Sequence, residues 1–203
     1  PLSELATVAG LVFQNPVNQI SGARFTVYEE VAFGLENLGV SRAEMIERVD
    51  AALALVGLHD VSDRSPYALS GGQQQRLALA SILAMAPQVV VLDEPTAQLD
   101  PLGSRDLFAA IHRLSRCGVT VIMVEHKLEW IAGFADRVLV LAEGHIVLDG
   151  APHEVLASSL LEQHHVGRTR FTRVAARAQA LKLAPADAPL PVTLEAAIDF
   201  FRP

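Results

Sequence analysis

The apolar positions of this chain change period along its length, and the changes mark out its elements. Val8-Ala-Gly-Leu-Val-Phe13 is an unbroken apolar run that predicts a strand, ended by Gln14-Asn-Pro16. Thr26 and Glu29 have the spacing of a capping box, predicting a helix to about Leu38 before Gly39. Ser41 and Glu44 repeat that spacing, and Met45, Val49, Leu53 and Val56 then share one helical face up to Gly57. Helical period returns after Ser70, with Leu77, Ala80, Ile82, Leu83 and Met85 facing inward and Pro87 as the stop. Val89-Val-Val-Leu92 and Val119 to Val124 read as buried parallel strands covered on both faces. Between them, Asp100-Pro101 is an N-cap followed by proline at the first helical position, with a stop near Cys117-Gly118. A short helix at Leu128 to Phe134 precedes a hairpin built from Val138 to Leu141, the turn Glu143-Gly144, and Ile146 to Leu148. Residues 152–182 read as helical and Arg-rich. Pro185, Pro189 and Pro191 mark a linker, and Thr193 caps a last short helix. Strands alternating with helices predict an α/β core with a mainly parallel sheet.

Composition narrows the class. At 203 residues and 51% hydrophobic, the chain can build one sizeable core, with or without an appendage. No apolar run approaches the ~18 residues of a membrane span. The first five residues show no export signal. A net charge of -7 argues against a nucleic-acid partner, which selects a basic face. The single cysteine, Cys117, excludes an internal disulfide and reads as a small buried apolar side chain.

Two segments carry chemistry. In Leu69-Ser-Gly-Gly-Gln-Gln-Gln-Arg76, Ser70 stands at an N-cap position. Gly71 and Gly72 let a ligand approach the backbone, and Gln73 follows them. The helix behind turns its N–H groups and positive dipole end outward, which suits phosphate. In Val89-Val-Val-Leu-Asp-Glu94, a buried strand ends in two carboxylates, at the sheet end where α/β proteins bind ligands. Asp93 suits Mg²⁺, and Glu94 is placed to polarise a water attacking a phosphoryl group.

The order Leu-Ser-Gly-Gly-Gln, acidic strand end, Leu99-Asp100 and Val124-Glu-His126 resembles the ATP-binding cassette (ABC) family across residues 10–150. Phe13-Gln-Asn-Pro16, Phe33-Gly-Leu-Glu-Asn-Leu-Gly39 and Pro95-Thr-Ala-Gln-Leu-Asp-Pro101 are similar to its energy-coupling-factor branch, whose members drive uptake of vitamins and transition-metal ions. The resemblance implies a partial P-loop NTPase (RecA-like) α/β core with an ABC-type α-helical subdomain at about 15–86. The cassette would span 1–157, and 158–203 would be a helical extension or linker. It implies ATP and Mg²⁺ as ligands. Gln14 becomes the Q-loop glutamine, touching the metal and the attacking water, and Ser70, Gly71, Gly72 and Gln73 become the signature loop. Asp93 becomes the Walker B metal ligand, Glu94 the catalytic glutamate, Asp100 the D-loop aspartate at the dimer seam and His126 the switch histidine. It also implies a second ABC ATPase subunit, an integral membrane transport subunit, and a peripheral position on the cytoplasmic face of the membrane. A soluble ABC ATPase outside transport and a non-catalytic, partner-binding remnant are the alternatives.

A P-loop needs Gly-x-x-x-x-Gly-Lys-Ser/Thr. The only lysines, Lys127 and Lys182, do not follow glycine, so no frame supplies it. Residue 1 is Pro and the Q-loop already begins at residue 14. The expectation is a chain truncated before the Q-loop and inactive alone. Arg168, Arg170, Arg173 and Arg177 read as a solvated face, and His164-His165 as polar surface. Phe33 and Leu35 fit either a groove for the membrane subunit or the core.

Overall fold

The computed structural model describes residues 8–202. The expectations drawn from the first five residues lie outside the described residues. The chain divides into two compact units, Pro1–Glu125 and His126–Pro203.

In the first unit, β1 (Ala9–Val12), β2 (Val89–Asp93) and β3 (Thr120–Val124) form a parallel sheet in that order, with β2 in the middle. The register pairs Val12 with Leu92 and Asp93 with Val124, so the strands end at nearly one level. Four helices complete the unit: α1 (Val27–Asn37), α2 (Arg42–Val56), α3 (Gly71–Ala84) and α4 (Pro101–Arg116). The Thr26–Glu29 capping box is complete. At Ser41 only half of one forms: its side chain accepts from the Glu44 N–H, while the Glu44 carboxylate pairs with Arg48 one turn on. Gly57, at φ 69°, adopts the left-handed conformation that ends α2.

α3 is central, packing on α1, α2 and β1. Val31, Leu35, Val49, Leu53, Leu77 and Leu79 are fully buried around it. Leu35 is therefore core, while the Phe33 ring lies 5.3 Å under the Arg24 guanidinium. The close fit of α3 on β1 uses Gly10, where any Cβ would overlap Ile82 Cγ2.

Two expectations are overturned here. β3 is not buried: Ile122 and Val124 are 54% and 52% exposed. Among the described strands it has a neighbour on one side only, and Leu11, Val91 and Ile122 share one row of register on the less covered face. Cys117 is exposed, because it caps the carboxyl end of α4, where the chain turns away from the packed face.

The second unit begins with α5 (Leu128–Phe134) and the antiparallel hairpin β4 (Val138–Ala142) and β5 (His145–Gly150). Glu143 and Gly144, at φ 51° and 78°, make the primed turn that matches strand twist. Residues 152–182 are not one helical run. They hold α6 (Pro152–Val155), α7 (Leu160–Gln163) and α8 (Arg170–Ala180), with coil between them that seats Val155, Leu156 and Leu161 in the core beneath the hairpin. α9 (Leu194–Phe200) is capped by Thr193 as expected. The proline-rich stretch before it is tied to α8, where Thr172 donates to the Pro191 carbonyl and Gln179 to those of Pro185 and Ala188, each at 2.8 Å. Arg168 and Arg170 pair with Glu162 and Glu129, and Arg173 and Arg177 lie exposed.

Candidate nucleotide site

Parallel strands that end level bring their following residues together. Gln14 comes two residues after β1, Asp93 ends β2, and Glu94 follows it. Glu94 donates its backbone N–H to the Val124 carbonyl at 3.0 Å, extending the ladder by one residue, and then turns at φ 42°. A left-handed glutamate costs on the order of 1–3 kcal/mol and persists only where its surroundings hold it. Ala97 N–H closes the turn onto the Glu94 carbonyl. The fully buried Thr96 donates its hydroxyl to Glu125, tying this loop to the end of β3. The Gln14 Nε2 then donates to Glu94 Oε2 at 2.8 Å. A carboxylate only accepts, so this bond orients the amide and turns its oxygen away from Glu94. An exposed Asp93 carboxylate and that amide oxygen are hard donors of the kind Mg²⁺ takes, together with waters and substrate oxygens. Among the described residues no three His, Cys, Asp or Glu side chains cluster as a metal cage.

Gln14 is itself held in place. The Phe13 N–H donates to Gln19 Oε1, and the Phe13 carbonyl accepts from Gln75 Nε2, both at 3.3 Å. Downstream, the buried Glu30 carboxylate accepts from the Ser21 N–H and hydroxyl at 2.7 and 2.8 Å. Sequence reasoning missed Gln19, Gln75, Glu30 and Thr96. Gln75 left a signal, being a polar residue on the apolar stripe that continues through Ala78, Leu79 and Ile82.

A second cluster forms where the amino ends of α3 and α4 meet. Ser70 Oγ accepts from the Gln73 N–H, and Gln73 Oε1 accepts from the Ser70 N–H at 2.9 Å. Gln73 therefore shapes the loop through a capping box, leaving the Gly71 and Gly72 N–H groups at the outward end of the helix dipole. Neither glycine is demanded by the chain's own packing. A Cβ at Gly72 would meet Leu99 and Gly103 at ordinary contact distances of 3.7 and 3.8 Å, and one at Gly71 would meet only the Gln98 carbonyl at 4.0 Å. Opposite, Asp100 caps α4 by accepting from the Gly103 N–H at 2.6 Å, so its own carboxylate occupies that helix's positive end. Arg76 pairs with Asp106 across the two helices at 3.2 Å. An open cavity of about 530 Å³ lies between these ends, lined by Ser70 to Gln73 on one side and Gln98, Asp100 and Gly103 on the other. His126 comes two residues after β3 and opens the second unit.

A strand-end carboxylate pair, a glutamine bound to the second carboxylate, and a glycine-opened helix start define a nucleotide-binding cassette, and the chain belongs to the ABC transporter ATP-binding family. The family profile "ABC transporter" matches residues 2–97. The chain is 51% identical over 155 residues to a putative ABC transporter ATP-binding protein of Pyrococcus horikoshii, covering 76% of this chain and 54% of that protein. It is 50% identical over 155 residues to an energy-coupling factor transporter ATP-binding protein of Caldanaerobacter subterraneus subsp. tengcongensis, covering 76% and 55%. It thus spans about half the length of the curated relatives it matches. Among solved structures, cbiO1 of Clostridium perfringens, part of the ABC transporter complex cbiONQ, superposes with a TM-score of 0.71 at 35% identity, over 84% of this chain and 67% of that one.

Proposed function

We propose that this chain carries the hydrolytic and signature elements of an ATP-hydrolysing subunit that energises a membrane importer of the energy-coupling-factor type, acting in vitamin or metal-ion uptake. The observation that carries the reading is the Gln14–Glu94 hydrogen bond at the carboxyl ends of adjoining parallel strands. The names of relatives support the transporter type.

Glu94 accepts the proton of a water that attacks the γ-phosphorus of ATP, while the bond to the β-phosphate oxygen breaks. Gln14 fixes the direction of the Glu94 carboxylate through its amide N–H, and its amide oxygen would be available to a cation. Asp93 and Gln14 would hold Mg²⁺, which when bound neutralises developing phosphate charge. Ser70, Gly71 and Gly72 present the α3 amino end to the γ-phosphate of nucleotide held by a second ABC ATPase subunit. Asp100 lies at the seam between the two subunits, and His126 contacts the γ-phosphate. These 203 residues contain no Gly-x-x-x-x-Gly-Lys-Ser/Thr, the loop that cradles nucleotide phosphates, and a chain without it hydrolyses ATP poorly. Among the described residues no helix is long and apolar enough to cross a membrane. The solute path belongs to an integral membrane partner, reached from the cytoplasmic face, a reading that the transporter names of relatives support.

The test is Glu94→Gln in the assembled ATPase. ATP binding should persist while turnover falls by about 10²–10⁴, the contribution of a general base. Near-normal turnover would remove Glu94 from this role and the proposal with it.

A further inference from the structure

α3 carries the anion-binding glycines at its first turn and Gln75 one turn further on. Gln75 is 1% exposed, on a helix face continued by the buried Ala78 and Leu79. A buried amide persists on such a face only when it has a partner. Its partner is the Phe13 carbonyl, 62 positions earlier in the chain and immediately before Gln14. A second link runs through Gln19, whose Oε1 accepts from the Phe13 N–H and whose Nε2 donates to the Ala78 carbonyl of the same helix at 3.3 Å. Both backbone polar groups of Phe13 are thus tied to α3, one directly and one through Gln19. The place of the Gln14 amide against Glu94 is set by α3 as well as by β1.

We propose that Gln75 is a positioning residue, which links the seating of phosphate at the α3 amino end to the alignment of Gln14 on Glu94. The inference rests on the reading above that Gln14 and Glu94 act in ATP hydrolysis. A shift of α3 when Gly71 and Gly72 engage an anion moves Gln75, and with it the Phe13 carbonyl and Gln14. The nucleotide site held by one subunit's signature is in this way connected to the water-activating pair in the same subunit.

The experiment is a double-mutant cycle in the assembled ATPase, reading kcat and the KM for ATP separately. Gln75→Met keeps the volume and flexibility of the side chain and removes the donor. It should lower kcat on the order of 10-fold, the scale of a small misplacement of a reacting group, and leave the KM unchanged. In the Gln14→Ala background it should cause no further loss, because its effect passes through Gln14. Gln19→Met, at a half-buried position, breaks the second link and should behave the same way. Additive losses in the two backgrounds, or a rise in KM matching the fall in kcat, would make Gln75 a packing residue and overturn the proposal. Full turnover in Gln14→Ala would overturn it together with the assigned role of Gln14, whereas loss in Gln14→Ala with additivity overturns the positioning role alone.

Discussion

Gln14 and Glu94, 80 positions apart in the chain, meet across 2.8 Å with the amide donating to the carboxylate. The direction of that bond matters more than its length. A donor at position 14 holds the Glu94 carboxylate in one direction, whereas a carboxylate there would offer only acceptors to it.

Gln14→Ala should therefore reduce turnover on the order of 10-fold by loosening Glu94, with nucleotide affinity little changed. Gln14→Glu should do worse than alanine, since it sets two carboxylates against each other. Steady-state turnover of the two variants in parallel checks this, and a glutamate variant as active as wild type would contradict the bond's assigned role.

The glycines that open α3 separate folding from the proposed function. A Cβ at Gly72 meets only ordinary contacts, and the residue sits in a helix, where alanine is favoured by roughly 0.5–1 kcal/mol. Gly72→Ala should raise or preserve the thermal midpoint while obstructing phosphate at the α3 amino end. Calorimetry beside an ATPase assay reads both, and a variant that is equally active would show that the backbone there is not approached by nucleotide.

Gly10 behaves oppositely. A methyl there overlaps Ile82 Cγ2, a branched atom with little freedom to move away. Gly10→Ala should destabilise the first unit by about 1–3 kcal/mol, the usual range for overpacking. Urea unfolding measures it.

In the second unit Arg137 grips Asp149 through two bonds of 2.7 and 2.6 Å, between the residue preceding β4 and its partner strand. The hydrogen bonds from Arg137 hold the Asp149 carboxyl below the ordinary aspartate range. A folded-state pKa that is depressed gives stability present above the unfolded value and lost as pH falls through the folded one. The stability advantage of wild type over Asp149→Asn should be constant near neutrality and shrink as pH drops below the ordinary aspartate range. Because the pair is exposed, it should also shrink in high salt. Denaturation curves across acid pH at two ionic strengths check both.

Much of this protein was legible locally. Thr26, Ser41, Ser70, Asp100 and Thr193 each announce a helix start, because a cap is an interaction among four consecutive residues. The primed turn at Glu143-Gly144 and the strand at Val89 to Leu92 are of the same kind. Glu94 and the Ser70 to Gln73 loop stood out for a related reason: the chemistry of a strand end or a helix start is written in adjacent positions. Sequence reasoning failed wherever the answer depended on a distant neighbour. β3 has the β-branched composition of a covered strand, yet its cover is decided by which elements lie on each face. Cys117 is small and apolar, but its exposure follows from where α4 stops. Gly10 looks like an ordinary strand residue until α3 is laid on it. Local pattern thus determined most of the elements and their caps, and singled out the residues proposed to carry the chemistry. Only the tertiary structure decided that Gln75 would fasten Phe13, and that Gln14 would reach Glu94, because hydrogen bonds spanning 62 and 80 positions exist only once α3 has packed on β1 and parallel pairing has brought the strand ends level.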